Sequence, residues 1–105
     1  MSKDYSTYIQ QRMTELRVDS FHTENLILKI KAGENLSQIK AYNEYLFLVS
    51  ETVPSGVVIH SDTFIFSGSG SLGSMHVPYE FSGHVIITSG NIPDFIIDFI
   101  RVTPE

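Results

Sequence analysis

The amino-acid sequence predicts a mainly β protein: an antiparallel β-sandwich or small barrel of the jelly-roll kind, preceded by one N-terminal amphipathic α-helix. Three observations predict this fold class. Isoleucine, valine, threonine and aromatic residues, which favour strands, dominate the chain beyond residue 25. Turn residues recur there about every 8–12 residues, as in all-β domains. The sequence also lacks the helical segments that would connect the strands of a parallel sheet.

The length of the chain predicts one domain. Its 105 residues and 11.8 kDa fall within the usual size of a single domain, so we assign residues 1–105 to one unit. We expect the N-terminal helix within residues 1–20 and the β domain over residues 24–105. Apolar residues repeat in the first segment at the i, i+3, i+4 spacing of a helix face. They are Tyr5, Tyr8, Ile9, Met13 and Leu16.

Alternating apolar residues predict the first strands. Leu26–Lys31 reads as a strand with Leu28 and Ile30 inward, followed by a turn near Gly33. Ile39–Ser50 is a second strand region, with a break expected at Tyr42–Glu44. Residues 57–67 form either a hairpin or one long strand, because Ser61-Asp62 lacks the glycine that tight hairpins prefer.

The C-terminal strands are marked by proline and glycine. Pro78 predicts that Met75–Phe81 is an edge strand, because proline cannot donate a hydrogen bond to a neighbouring strand. Ser82-Gly83 is expected to turn the chain into another strand at residues 84–88. Residues 94–102 suit either a helix or a buried strand, and their β-branched residues favour the strand.

Composition excludes several classes of protein. The net charge of −5 argues against binding nucleic acid through its phosphates. The absence of cysteine excludes disulfides and thiolate sites. No apolar run approaches the length of a membrane helix, and no signal peptide is visible, so we expect synthesis in the cytoplasm and no membrane partner.

A glycine-rich segment matches a nucleotide-binding pattern without its usual context. Residues 68–73 read Gly-Ser-Gly-Ser-Leu-Gly, which fits G-x-G-x-x-G, but a β-like segment follows where a dinucleotide site needs a helix. No lysine or arginine lies between Lys40 and Arg101 to meet a phosphate. We therefore expect a loop and no cofactor.

The four histidines do not predict a metal site. No two of them have the close spacing of a metal-binding pair, and a site would require His60, His76 and His84 from separate strands. Strand alternation places His76 opposite the apolar positions of its segment. No serine lies in a nucleophile motif, and no carboxylate pair is indicated. The sequence predicts no metal and no enzymatic activity.

Charge is distributed unevenly along the chain. Residues 1–40 carry six basic and five acidic side chains, whereas residues 41–105 carry one basic side chain, Arg101, and seven acidic ones. A segment this poor in charge, with apolar residues on both faces near the C-terminus, predicts burial against another subunit. The alternative is a central strand covered by the N-terminal helix. Candidate interface residues are Tyr8, Met13, Phe95, Ile97 and Phe99.

These features predict a non-enzymatic structural or assembly module that self-associates or joins another protein of an assembly. A charge-poor, cysteine-free β domain with a helical leader resembles small structural proteins of bacteriophage particles in composition, which would place it in a virion. One alternative is a carbohydrate- or peptide-binding β-sandwich with Tyr42, Tyr45 and Tyr79 as its ligand face. A further alternative is a small metal-dependent barrel enzyme.

Overall fold

The computed structural model describes residues 5–31, 37–71, 78–90 and 94–105. These residues form one helix and eight strands, which confirms the prediction of a mainly β chain with an N-terminal helix. The elements are α1 (Ser6–Glu15), β1 (Phe21–Ile30), β2 (Ser37–Leu48), β3 (Thr52–Val53), β4 (Val57–His60), β5 (Ile65–Ser67), β6 (Gly70–Ser71), β7 (Tyr79–Ser89) and β8 (Phe95–Pro104).

Six of the strands form one antiparallel sheet. Their spatial order is β1-β8-β2-β7-β4-β5, and β3 pairs with β6 in a separate two-stranded sheet. The first strand of the chain therefore lies beside the last one. The pairings form an open series from β1 to β5, so they do not decide between a sandwich and a barrel.

Apolar side chains cover both faces of the sheet. One face carries the main core, to which six of the strands contribute buried side chains. Its buried members are Ile39, Ala41, Leu46, Leu48, Val53, Val57, Ile59, Phe66, Phe81, Val85, Ile87, Ile97 and Phe99. The other face carries a smaller helix-side core in which α1 packs on β2 and β8. Its buried members are Tyr5, Ile9, Met13, Phe47 and Val102.

The helix is shorter than its apolar stripe predicts, because the chain turns sharply after Glu15. Arg17 adopts a left-handed conformation with φ of 61°. Its N–H donates to the carbonyl oxygen of Thr14, and the N–H of Val18 donates to that of Met13. This is a Schellman C-cap with arginine in the position where glycine is usual. Ile9 and Met13 of the apolar stripe are buried.

A bulge interrupts β2 where the sequence predicts a break. Ala41 pairs with Gly83 and Leu46 with Phe81, so the four residues between them on β2 face one residue of β7. Asn43 in this bulge has φ of 61°. The bulge reverses the alternation, because Ala41 and Leu46 differ in parity yet both lie in the main core.

Residues 57–67 form a hairpin, which decides the question left open by the sequence. β4 and β5 pair from Val58 with Ser67 to His60 with Ile65. Ser61 closes the loop without glycine: its hydroxyl oxygen accepts hydrogen bonds from the N–H groups of Thr63 and Phe64 at 3.3 and 3.2 Å.

Two strand predictions near Pro78 are wrong, and one at the C-terminus is confirmed. Pro78 lies just before β7, which is a central strand between β2 and β4, while residues 72–77 lie outside the described residues. Ser82-Gly83 does not end a strand, because Gly83, with φ of 83°, accommodates the bulge within β7. The segment after Asp94 is a strand.

Candidate interaction surface

The helix-side face of the sheet is covered over only part of its width. Where α1 packs on the sheet, Met13 of the helix and Phe47 and Val102 of the strands are completely buried. Beside the helix, Ile27 of β1 and Ile96 of β8 are 60% and 54% exposed. A ten-residue helix is about 15 Å long and 10 Å wide, whereas six strands span about 24 Å. One such helix therefore leaves part of the face open.

Ile27 and Ile96 are neighbours on this open part. In the register of β1 and β8, Ile27 lies opposite Asp98 and Lys29 lies opposite Ile96, so the two isoleucines are diagonal neighbours on one face. Both line a groove of about 640 Å³, which we call the edge groove. Its other lining residues are Tyr5, Asn25, Val49, Ser50, Glu51, Thr52, Asp98, Phe99 and Ile100.

Hydrogen bonds hold the floor of the edge groove. The N–H of Val49 donates to the carbonyl oxygen of Asp98 at 3.0 Å, and the N–H of Asp98 donates to the Ser50 hydroxyl at 2.7 Å. Ser50 thus extends the pairing of β2 with β8 beyond Leu48. At the end nearest the helix, burial and the nearby Glu51 carboxylate raise the pKa of Tyr5. These hydrogen bonds fix the floor of the groove, and Tyr5 closes the end nearest the helix.

The edge groove adjoins a long free strand edge. In the part of the chain that the structure describes, β1 is paired with β8 alone, through ten consecutive residues without a register shift. The other edge strand, β5, has only three residues. Short strands, prolines and bulges normally protect the edges of sheets, and β1 has none of them, although Glu24 and Lys29 are exposed charges there.

A second groove lies between α1 and the start of β7. Arg12 Nε donates to Glu80 Oε1 at 2.7 Å, and Nη2 approaches Oε2 at 3.5 Å. This carboxylate raises the pKa of Arg12. Because the two charges satisfy each other, we interpret the contact as an attachment of the helix to the sheet. The groove is lined by Tyr8, Gln11, Arg12, Glu15, Thr63, Phe64, Pro78, Tyr79 and Glu80.

The structure does not bring the five sequence-predicted interface residues together. Ile97 and Phe99 are buried in the main core, with Phe95 packed against it. Met13 is buried between the helix and the sheet, and Tyr8, also on the helix, packs edge-on against Phe47. The alternation in β8 instead places Ile96 on the open part of the helix-side face. The sequence shows that β8 is apolar on both faces, but it does not show which part of the helix-side face α1 leaves open.

The three candidate tyrosines of the ligand-binding alternative lie on different surfaces. Tyr45 packs against the helix-side core, whereas Tyr79 contacts Phe66 at a ring separation of 4.8 Å on the main-core side. Tyr42 is exposed in the β2 bulge. They form no common aromatic platform.

The histidines and the glycine-rich segment lie partly within the described residues. Among the described residues, no three histidine, aspartate or glutamate side chains cluster as metal ligands, and His76 lies outside them. In the glycine motif, Gly70–Ser71 is β6 and pairs with β3, whereas Leu72 and Gly73 lie outside the described residues. A side chain at Gly68 would collide with the carbonyl oxygen of Pro54. That glycine therefore serves a close backbone approach.

Comparison of the chain with protein-family models, curated proteins and solved structures gives no match. In the described part of the chain, no helix is both long and apolar enough to cross a membrane.

Proposed function

We propose that this protein is a non-enzymatic structural or assembly module that self-associates through the open part of its helix-side face. The observation that carries this proposal is the pair of exposed isoleucines, Ile27 and Ile96, which lie side by side in the edge groove. Adjacent exposed apolar residues beside a free strand edge are typical of a protein–protein contact.

The apolar contact alone would be too weak for a stable dimer. Burying one isoleucine completely contributes about 1.5–3 kcal/mol, and these two are already nearly half buried. Two copies that covered each other's pair would gain on the order of 5 kcal/mol. A micromolar dissociation constant corresponds to about 8 kcal/mol. Further contacts must therefore contribute, and the free edge of β1 can supply them.

The partner that this surface favours is a copy of the chain or another protein of the same assembly. Residues 41–105 have one basic side chain, so most of the β domain has few charges with which to oppose close packing. Proteins of particle-like assemblies, such as bacteriophage virions, share this composition, and we extend the proposal to that setting.

Solution mass tests the proposal. Light scattering across a range of micromolar concentrations is expected to give a multiple of 11.8 kDa. The double variant Ile27→Ser/Ile96→Ser is expected to shift the mass towards the monomer, whereas Ile65→Ser, at an equally exposed isoleucine on β5, is the matched control. A monodisperse monomer that captures no partner from its source would contradict the proposal.

A further inference from the structure

We infer that two copies join through β1, antiparallel and edge to edge, about a two-fold axis that passes beside Ile27. This inference rests on the proposed self-association and identifies the contact. The two six-stranded sheets would then continue as one sheet across the interface. The partner is a second copy of this chain.

The geometry of β1 makes edge pairing available. Its ten residues are regularly paired with β8, so the backbone of β1 is already extended and straight enough to template another strand. The outer N–H and C=O groups of an edge strand are free to pair in this way. Edge pairing brings Ile27 against Ile27 of the partner subunit but leaves Ile96, on β8, one strand away from the partner. The backbone hydrogen bonds between the two β1 strands therefore supply most of the free energy of this contact.

The distribution of side chains selects the register. A two-fold axis perpendicular to the sheet pairs residues that lie on the same face. With the axis at Ile27, this side chain faces Ile27 of the partner subunit, Leu26 faces the partner's Leu28, and Asn25 faces the partner's Lys29. Shifting the axis by one residue instead places Ile27 opposite either the partner's Asn25 or the partner's Lys29. The register centred on Ile27 therefore buries the exposed isoleucine of the strand against the same residue of the partner.

The same arrangement avoids electrostatic repulsion. Lys29, the charged residue nearest to the axis, faces an uncharged asparagine, and Glu24 faces the partner's Ile30. Pairing of β1 with β5 of another copy would use only the three residues of β5. It would also leave a free edge at each end of the pair, to which further copies could bind. The two-fold contact closes on itself and uses both long edges at once.

Single cysteines test the register, because the natural chain has none. Directly opposite residues of antiparallel strands have Cα atoms about 4.5–5.5 Å apart, within the range that a disulfide spans. Mild oxidation is expected to convert I27C into a covalent dimer, at least about tenfold faster than I65C, the control of equal exposure. N25C and K29C are expected to cross-link when mixed, and much less when either is alone.

A charge at the axis tests the contact itself. I27R would place two like charges side by side, so we expect a dissociation constant raised at least about 100-fold, whereas I65R should leave it unchanged. Circular dichroism monitors whether both variants stay folded. If I27R fails to fold, the cross-linking of I27C still tests the contact, because cysteine is smaller and uncharged.

The outcomes separate this inference from the proposed function. A wild-type oligomer, rapid cross-linking of I27C and dissociation by I27R would support both. A wild-type oligomer that survives I27R, with I27C no faster than I65C, would overturn β1 pairing and leave self-association standing. Cross-linking of I27C with K29C but not with itself would overturn the register. A monomer at every concentration would overturn both proposals.

Discussion

The helix-side face has a part that α1 covers and an open part with Ile27 and Ile96, and side chains alternate in the same way in both. Both are built by the same alternation along β2 and β8, yet Phe47 and Val102 are completely buried while Ile96 is more than half exposed. The difference arises from α1, which packs over Phe47 and Val102, whereas Tyr5, just before its first residue, borders the groove that holds Ile96. Alternation thus determines which residues share a face, and a separate element determines which of them water reaches.

The largest expected effect comes from truncating one apolar side chain in each part. Phe47→Ala removes a completely buried ring, and we expect it to lower the free energy of unfolding by about 3–5 kcal/mol. Ile96→Ala removes an exposed side chain and should change it by less than about 0.5 kcal/mol. Urea unfolding measured below the association range compares them. Equal losses would show that something covers both parts within one chain.

A smaller effect tests the bulge that turns Phe47 towards the helix. Gly83 has a positive φ, and a side chain there would collide with the Asp62 carboxylate, so Gly83→Ala should destabilise the fold by about 1–3 kcal/mol. Gly90→Ala, in open space, is the matched control. If both alanines were tolerated equally, the bulge would not depend on this glycine.

A third effect concerns the ion pair that attaches α1 to the covered part. The coupling energy between Arg12 and Glu80, from the cycle of R12M, E80Q and the double variant, is expected to be about 0.5–1 kcal/mol and to fall with added salt. The exposed contact of Arg12 with Glu15 should show less coupling, measured with E15Q. Similar values for both pairs would contradict an attachment through Glu80.

The smallest effect is a pH dependence at Tyr5, where the two parts meet. Burial and then Glu51 raise the pKa of Tyr5 above its ordinary value of 10.0. Ionisation is therefore easier in the unfolded chain, and the stabilisation from the neutral phenol is present below pH 10 and lost as the pH rises through the folded-state pKa. Relative to Tyr5→Phe, the wild type should lose stability above about pH 10. A parallel decline of both proteins would contradict this.

Local pattern predicted the elements whose signals lie within one segment. The inward positions Leu28 and Ile30, the break at Tyr42–Glu44 and the buried stripe of α1 all follow from alternation or helical spacing, and the structure has them. The early end of α1 was not predictable, because arginine rarely adopts the left-handed conformation that closes the helix. Pro78 led to the wrong prediction of an edge strand, because the sequence does not show that β7 begins at Tyr79, one residue after the proline. A proline that precedes a strand removes none of its hydrogen bonds.

The candidate surface depended on which part of the sheet α1 covers, which the sequence did not predict. Residues 95–100 are apolar on both faces except at Asp98, and the sequence predicts an interface through the odd-numbered Phe95, Ile97 and Phe99. Those positions face the main core, while Ile96 faces the open part. The choice between them required knowing which part of the helix-side face α1 covers. Nothing in the sequence of β8 carries that information.

The pairing of the first strand with the last one sets the order of events in folding. Phe21 lies opposite Pro104, so β1 meets its partner only after nearly the whole intervening chain has been brought together. Contacts of such long range close large loops and slow the search for the native state. The hairpin of β4 and β5 can form early, whereas β1 waits for β8. A nascent or destabilised chain would consequently expose both edges of β1, and aggregation during refolding is expected to begin there.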